Sequence, residues 1–301
     1  MQLKDYFTFF RWKNLLMIFL VQALLKFILF QKFNLSVSLD LFHFLLLALS
    51  SILIAIAGYV INDINDIKAD EINKPNRVFV GNKLPIKTAN NLFLIFNSLG
   101  LLIGFYLTIY IHKNSFFIIY IIISLLLYRY AIDLKKRYIT NNIVISFIIF
   151  LSILIVPVFD IVPATNSFNK ESQIVIFKLV FIISLFAFFL TLIREILKDL
   201  EDILGDKIIH ARTIPIINGE AKTKIILIIL SFLLFLAVNL FAYQNFSTHM
   251  VFSLYLAGFV SLPLLYFGFK IKSSSTKKEY HQLSNILKAV MLLGILSILF
   301  Y

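Results

Sequence analysis

The 301-residue sequence predicts an all-α integral membrane protein of nine transmembrane helices around a central cavity, with a parallel internal repeat and a cytoplasmic N-terminus. Three observations predict it. Hydrophobic residues make up 60% of the chain against 15% charged, at a mean hydropathy of +0.92. Apolar stretches of bilayer-crossing length recur from end to end. Lys and Arg gather in alternate connections. Spans of this length must be helices, because lipid offers the backbone no hydrogen-bond partner and the period-two alternation of a β-barrel is missing.

The first stretch, residues 15 to 30, follows Lys4, Arg11 and Lys13 and superficially resembles a signal peptide. It lacks a small-residue cleavage site and contains Lys26, so it reads as the first transmembrane helix. The second, 41 to 61, holds His43, the one histidine inside an apolar span, expected as a hydrogen-bonded core residue; it runs into the acidic segment NDINDIKAD. The third and fourth, 89 to 111 and 115 to 133, precede a short basic loop of Lys135, Lys136 and Arg137. The fifth is 141 to 163, and the sixth, 174 to 193, leads into a second acidic segment, KDLEDILGD. Stretches at 225 to 243, 249 to 269 and 283 to 301 complete the nine, with Ser273, Ser274, Ser275 and Thr276 expected as an ordinary loop. No linker or soluble insert interrupts the plan, so the chain reads as one polytopic domain, 1 to 301, with motif loops at 62 to 88 and 194 to 224.

Orientation follows from the cations. With the N-terminus inside, the inside segments hold 21 Lys and Arg and the outside loops only Lys32, Lys113 and Lys170. The same asymmetry explains the net charge of +12 as topology and phosphate chemistry, with no call for nucleic acid. The chain has no cysteine, which excludes disulfides and thiolate metal or redox sites, and its five histidines share no ligand-like spacing.

Ten of the sixteen acids fall in the two longest inside loops. Asp63, Asp66 and Asp70 have the same three-then-four spacing as Asp199, Asp202 and Asp206, 136 residues later. On a continuous helix each triplet presents its carboxylates on one face, where three like charges repel unless a cation sits among them. Each triplet follows an even-numbered helix, and a displacement of four helices preserves direction, so both are expected on the same side and facing one cavity. Hard oxygen ligands without His or Cys suit Mg2+ or Ca2+. Since Mg2+ binds through one or two carboxylates plus substrate phosphates, two such stripes point to a diphosphate held by metal. Lys74 and Arg77 follow the first motif, Arg194 and Lys198 flank the second, and Lys135, Lys136 and Arg137 lie in the basic loop, where phosphate charge would need them; for that loop a topology signal serves equally well.

NDINDIKAD followed by KPNR, and REILKDLEDILGD followed by RTIPI, resemble the UbiA superfamily of intramembrane prenyltransferases. Asn62, Asp63, Asp66 and Asp70 match the family's NDxxDxxxD, and Asp199, Asp202 and Asp206 its later aspartate motif. Tyr130, Lys135 and Asn142 resemble its Tyr-x-x-x-Leu-Lys element, with Asn141 where a glycine is usual. The resemblance implies that the six aspartates are the metal-holding catalytic residues. Mg2+ would bridge them to an allylic polyprenyl diphosphate, assisted by Asn62, Arg77, Tyr130, Lys135, Lys136, Arg194 and Lys198. Departure of the diphosphate would leave a carbocation for a lipophilic acceptor, in a multi-pass cell (inner) membrane protein whose site opens to the cytoplasm. The wording of the second motif looks most like members that prenylate geranylgeranylglyceryl phosphate; aromatic, quinone-making members typically carry a Tyr-Ala-x-x-Asp form. No obligatory protein partner is implied.

Three other readings compete. A cation transporter would place its carboxylates near the bilayer midplane, whereas these lie at helix ends. A CDP-alcohol phosphatidyltransferase would need Asp-Gly and further glycines that neither motif has, and a soluble isoprenyl synthase would need DDxxD.

Overall fold

We describe residues 3–75 and 78–301 of a computed structural model of the chain; Arg77 lies outside the described residues. A short helix α1 (Leu3–Phe9) precedes α2 (Trp12–Lys32), α3 (Leu41–Asn65), α4 (Ile67–Asn73), α5 (Ile86–Tyr110), α6 (Phe117–Ile132) and α7 (Thr140–Asp160). Then follow α8 (Lys170–Glu201), α9 (Ile203–Ile208), α10 (Ile214–Gln244), α11 (Met250–Ser273) and α12 (Lys277–Leu296). Among the described residues nine helical runs are long and apolar enough to cross a bilayer, and the only β pairing is an isolated bridge of Val80 with Leu84. The protein is therefore an all-helical, multi-pass membrane protein.

Two helices run well past the expected spans. The sixth span was expected to stop at 193, yet α8 continues to Glu201; the seventh was expected from 225, yet α10 starts at Ile214 and breaks at Gly219, whose φ of 78° favours glycine. Hydropathy marks where lipid ends, whereas a helix stops where its backbone finds a cap. The stretch expected as a plain loop before α12 contains one: the Thr276 side chain accepts from the Glu279 N–H at 3.3 Å, and Glu279 accepts from the Thr276 N–H at 2.9 Å.

The chain divides into two compact units, Met1–Lys135 with Phe147–Ser184, and Lys136–Ser146 with Leu185–Tyr301. In the first unit α3 lies close to α5, which passes α6 at Gly104: a Cβ there would meet the Tyr120 ring at 2.7 Å. That approach lets the buried Tyr120 hydroxyl bond Ser50 on α3 at 2.9 Å. Small residues and interhelical hydrogen bonds are what hold helices together where lipid is as apolar as leucine. At the start of α3, Asp40 accepts from the His43 N–H at 2.9 Å and from the His43 ring, which hold its carboxyl below the usual carboxylate range. The His43 ring also meets the Tyr106 hydroxyl at 3.2 Å.

One further polar contact ties α2 to α7. Lys26 sits in a π-helical turn of α2, Leu25–Leu29, with its side chain 8% exposed. Its ammonium donates to the Leu39 carbonyl at 2.5 Å and to Asp160 at 2.7 Å, while Asp160 accepts from the Leu39 N–H at 2.8 Å. Every charge in this cluster is answered.

In the second unit, Leu190, Ile193, Leu197 and Leu200 on α8 join Leu227 of α10, Leu264 and Phe267 of α11 and Leu287 of α12 in one apolar core. Polar ties gather at one end: Tyr280 donates to Glu220 at 2.6 Å, and the His281 ring meets Glu201 at 2.9 Å.

Candidate active site

Both aspartate triplets begin at the end of a membrane helix, and both depart from the single helical face expected of them. α3 ends at Asn65 and α4 starts at Ile67, leaving Asp66 at the break with φ −97° and ψ 0°. α8 ends at Glu201 and α9 starts at Ile203, leaving Asp202 at φ −104° and ψ 9°. The middle aspartate of each motif thus occupies the sparsely populated bridge region, and the outer two stand on different helices. The physical reason lies in the residues: aspartate favours a helix boundary over an interior, and bending relieves three like charges on a straight stripe. The backbone restarts alike in both, with Asp70 N–H on the Asp66 carbonyl at 2.8 Å and Asp206 N–H on the Asp202 carbonyl at 3.2 Å.

The side chains around the first motif are cations. Asp63 accepts from Arg11 at 2.5 Å and lies within electrostatic reach of Asp70, Lys135 and Lys74. Asp66 accepts from Asn62 at 2.5 Å and is ion-paired with Lys135, whose side chain is 9% exposed. Arg11 has left-handed backbone at φ 52°, which turns the chain from α1 into α2, and its guanidinium lies 4.7 Å from the Tyr59 ring centre. Burial works against the Arg11 charge, but Asp63, Tyr59, Asp70 and Tyr130 outweigh it and raise its pKa. α1 holds this turn in place: Phe9 is buried with Val60, Phe79 and Val80, and Asp5 pairs with Lys83 at 3.1 Å.

The second motif is held by amides. Asn141 and Asn142, at the start of α7, both donate to one oxygen of Asp199, at 3.0 and 2.9 Å. Asp199 is within electrostatic reach of Asp206 and Glu195. The flanking cations are engaged elsewhere: Arg194 donates to Glu195 at 3.0 Å, and Lys198 donates to both Glu195 oxygens at 2.9 and 3.0 Å. Lys136 has an exposed side chain, and its carbonyl accepts from the Arg212 N–H at 2.8 Å.

Of the expected site residues, the first unit thus brings Asn62, Asp63, Asp66, Asp70, Tyr130 and Lys135 together around Arg11. The second unit gathers Asp199, Asp202 and Asp206, with Arg194 and Lys198 beside them on α8. Three contributors escaped the sequence reading. Arg11 was taken for a topology signal, Asn141 was noted only as a departure from a glycine, and Glu195 was counted as an inside-loop acid. Glu195 was findable: it stands four residues before Asp199, one helical turn, on the same side of α8.

The donor set is carboxylate and carboxamide oxygen, which suits Mg2+. Among the described residues no three His, Cys, Asp or Glu side chains cluster closely enough to hold a metal by themselves. An ion shared with substrate phosphates asks for only one or two carboxylates. Each motif offers that many, and buried amide oxygens of Asn62, Asn141 and Asn142 beside them have no hydrogen-bond partner. The residues fit a Mg2+–phosphate group.

Comparison with known proteins converges on one family. Residues 19–288 match the model of the UbiA prenyltransferase family. A digeranylgeranylglyceryl phosphate synthase from Methanosphaera stadtmanae is 31% identical over 242 residues, 80% of this chain and 81% of that protein. Among solved structures, one described as giving structural and mechanistic insights into digeranylgeranylglyceryl phosphate synthase in membranes superposes with a TM-score of 0.64 at 25% identity, over 99% of this chain and 98% of that one. A UbiA homolog from Archaeoglobus fulgidus bound to GPP and Mg2+ shares the fold, with a TM-score of 0.63 at 17% identity over 98% of this chain and 99% of that one.

Proposed function

We propose that this chain, which belongs to the UbiA prenyltransferase family, joins a geranylgeranyl group from its diphosphate to the hydroxyl of a glyceryl phosphate ether lipid, with Mg2+ as cofactor. That it is a membrane prenyltransferase follows from the family; the acceptor, the metal and the residue roles are our reading. The observation that carries the acceptor is the similarity, over four-fifths of both chains, to a digeranylgeranylglyceryl phosphate synthase.

In this reading Asp63, Asp66 and Asp70 in one unit, and Asp199, Asp202 and Asp206 in the other, are each the residues that would hold metal-bound phosphate. Bound Mg2+ would supply Lewis-acid stabilisation of the negative charge that grows on the leaving diphosphate. Asn62 orients Asp66, and Asn141 with Asn142 fix Asp199, so that the carboxylates are set before substrate arrives. Lys135, paired with Asp66, and Arg11, paired with Asp63, would answer phosphate oxygens of the bound diphosphate. Tyr130, close to Arg11, donates to the same anion. Arg194 and Lys198 supply the remaining positive charge. Lys136 is the weakest member of the set, being exposed, and Arg77 joins it on sequence grounds alone.

The cation asymmetry supports a cytoplasmic N-terminus and a site opening to that side of the cell membrane. Because the chain has no cysteine, a single cysteine placed at Lys207 or at Lys113 and labelled from one side tests this. The acceptor is tested by offering purified protein geranylgeranyl, farnesyl and longer diphosphates with glyceryl phosphate and aromatic acceptors, and identifying products by mass spectrometry. We expect a Mg2+-dependent ether of the glyceryl phosphate. Prenylation of the aromatic acceptor alone would sink the assignment.

A further inference from the structure

α8 carries more polar chemistry than metal binding needs. Below Asp199, one turn and two turns deeper along the membrane helix, stand Glu195 and Thr191, spaced i, i+4 and i+8 on one side, each step about 6 Å. The Glu195 side chain is 12% exposed and its charge is answered by Arg194 and Lys198. A carboxylate within a membrane helix calls for an explanation. If this cluster were only an internal ion pair, its polar atoms would be mutually satisfied. They are not: the Thr191 hydroxyl, on a residue 3% exposed, and the Arg194 Nε are both buried without a hydrogen-bond partner. A hydroxyl-bearing ligand would meet both needs, accepting from the Thr191 O–H and the Arg194 Nε–H and donating to the carboxylate next to them.

We infer that Glu195 is the general base of prenyl transfer and that Thr191 and Arg194 hold the hydroxyl end of the acceptor, a phosphate-bearing alcohol. The inference rests on the acceptor reading above. In the reaction the C–O bond of the allylic diphosphate breaks, and the diphosphate leaves with the electron pair. A lone pair of the acceptor hydroxyl forms the new C–O bond, and the resulting oxonium loses its proton to the Glu195 carboxylate, which later returns it to water. An oxonium proton is acidic enough for a carboxylate paired with two cations to take it.

The test compares wild type with Glu195→Gln and Glu195→Asp, measuring ether formation from geranylgeranyl diphosphate and a glyceryl phosphate alcohol, prenyl diphosphate affinity, and diphosphate release without acceptor. For Glu195→Gln we expect ether formation to fall by about 10²–10⁴-fold. Prenyl diphosphate affinity and acceptor-free diphosphate release should stay within about threefold of wild type, and the acid limb of the pH–rate profile should disappear. Glu195→Asp should recover part of the rate with the acid limb restored. Ether formation by Glu195→Gln within about threefold of wild type overturns the inference. Loss of prenyl diphosphate affinity in step with turnover also overturns it, because Glu195 would then only anchor Lys198 and Arg194. Wild type that makes no ether overturns the acceptor reading instead, and this inference with it; that failure appears before any variant is made.

Discussion

The two aspartate motifs share a spacing and a bent backbone, yet their surroundings differ in kind. Around the first, Asp63 and Asp66 are paired with an arginine and a lysine brought from α1–α2 and from just past α6, with the Asn62 amide also on Asp66. Around the second, the partners of Asp199 are two neutral amides, while the local cations are drawn to Glu195. A cation on a carboxylate occupies ground that a metal must later take. An amide N–H leaves the carboxylate its charge and fixes its orientation. The repeat therefore duplicates a backbone device and not its charge partners: a paired arginine and lysine at the first motif, a pair of neutral amides at Asp199 of the second.

The largest expected effect tests what the motifs share. Asp66→Ala and Asp202→Ala should each reduce prenyl transfer by about 10³-fold or more while the protein still inserts, as judged by thermal midpoint. Full activity in either variant would break the equivalence of the two bends. Next, Asn142→Ala removes one amide from Asp199 and should lower apparent Mg2+ affinity by about 10–100-fold in a metal titration of activity. An unchanged titration would show that presentation is not what the asparagines do. Arg11→Ala should be milder and metal-dependent. In chelator it should lower stability by about 1–2 kcal/mol, less than for a fully buried pair because the Arg11 side chain is 35% exposed. Added Mg2+ should restore most of the loss, since metal then answers Asp63. The corresponding loss in Asn142→Ala should not be restored, and equal rescue of both would erase the distinction. Smallest, Lys198→Ala should raise the KM for prenyl diphosphate by about five- to tenfold, the weight of one charge-assisted hydrogen bond.

Much of this was legible in the residues. Nine spans follow from hydropathy because lipid sets the length of a crossing helix, and the aspartate motifs stand out because ten of the sixteen acids of so apolar a chain fall in two segments. The bend at Asp66 and Asp202 was not legible, since spacing alone assumes a straight helix. Nor was the partner choice. Arg11 is 52 residues from Asp63, and Asn142 is 57 from Asp199. Only packing brings such residues together, and periodicity carries no record of it. Glu195 is the intermediate case: its position on the helix was written in the sequence, but its pairing with both neighbours required coordinates.

The contact of Lys26 with Asp160 bears on how the protein is made. Lys26 belongs to the span Trp12–Lys32 and Asp160 to the span Thr140–Ala164, 134 residues later and four spans further along. Until the fifth span arrives, the first must enter the bilayer with an ammonium that lacks its native carboxylate, against a cost of about 3 kcal/mol at mid-depth. A nascent chain that ends before residue 160 lacks the carboxylate that answers Lys26 in the folded protein, so the pair closes only once both spans are present.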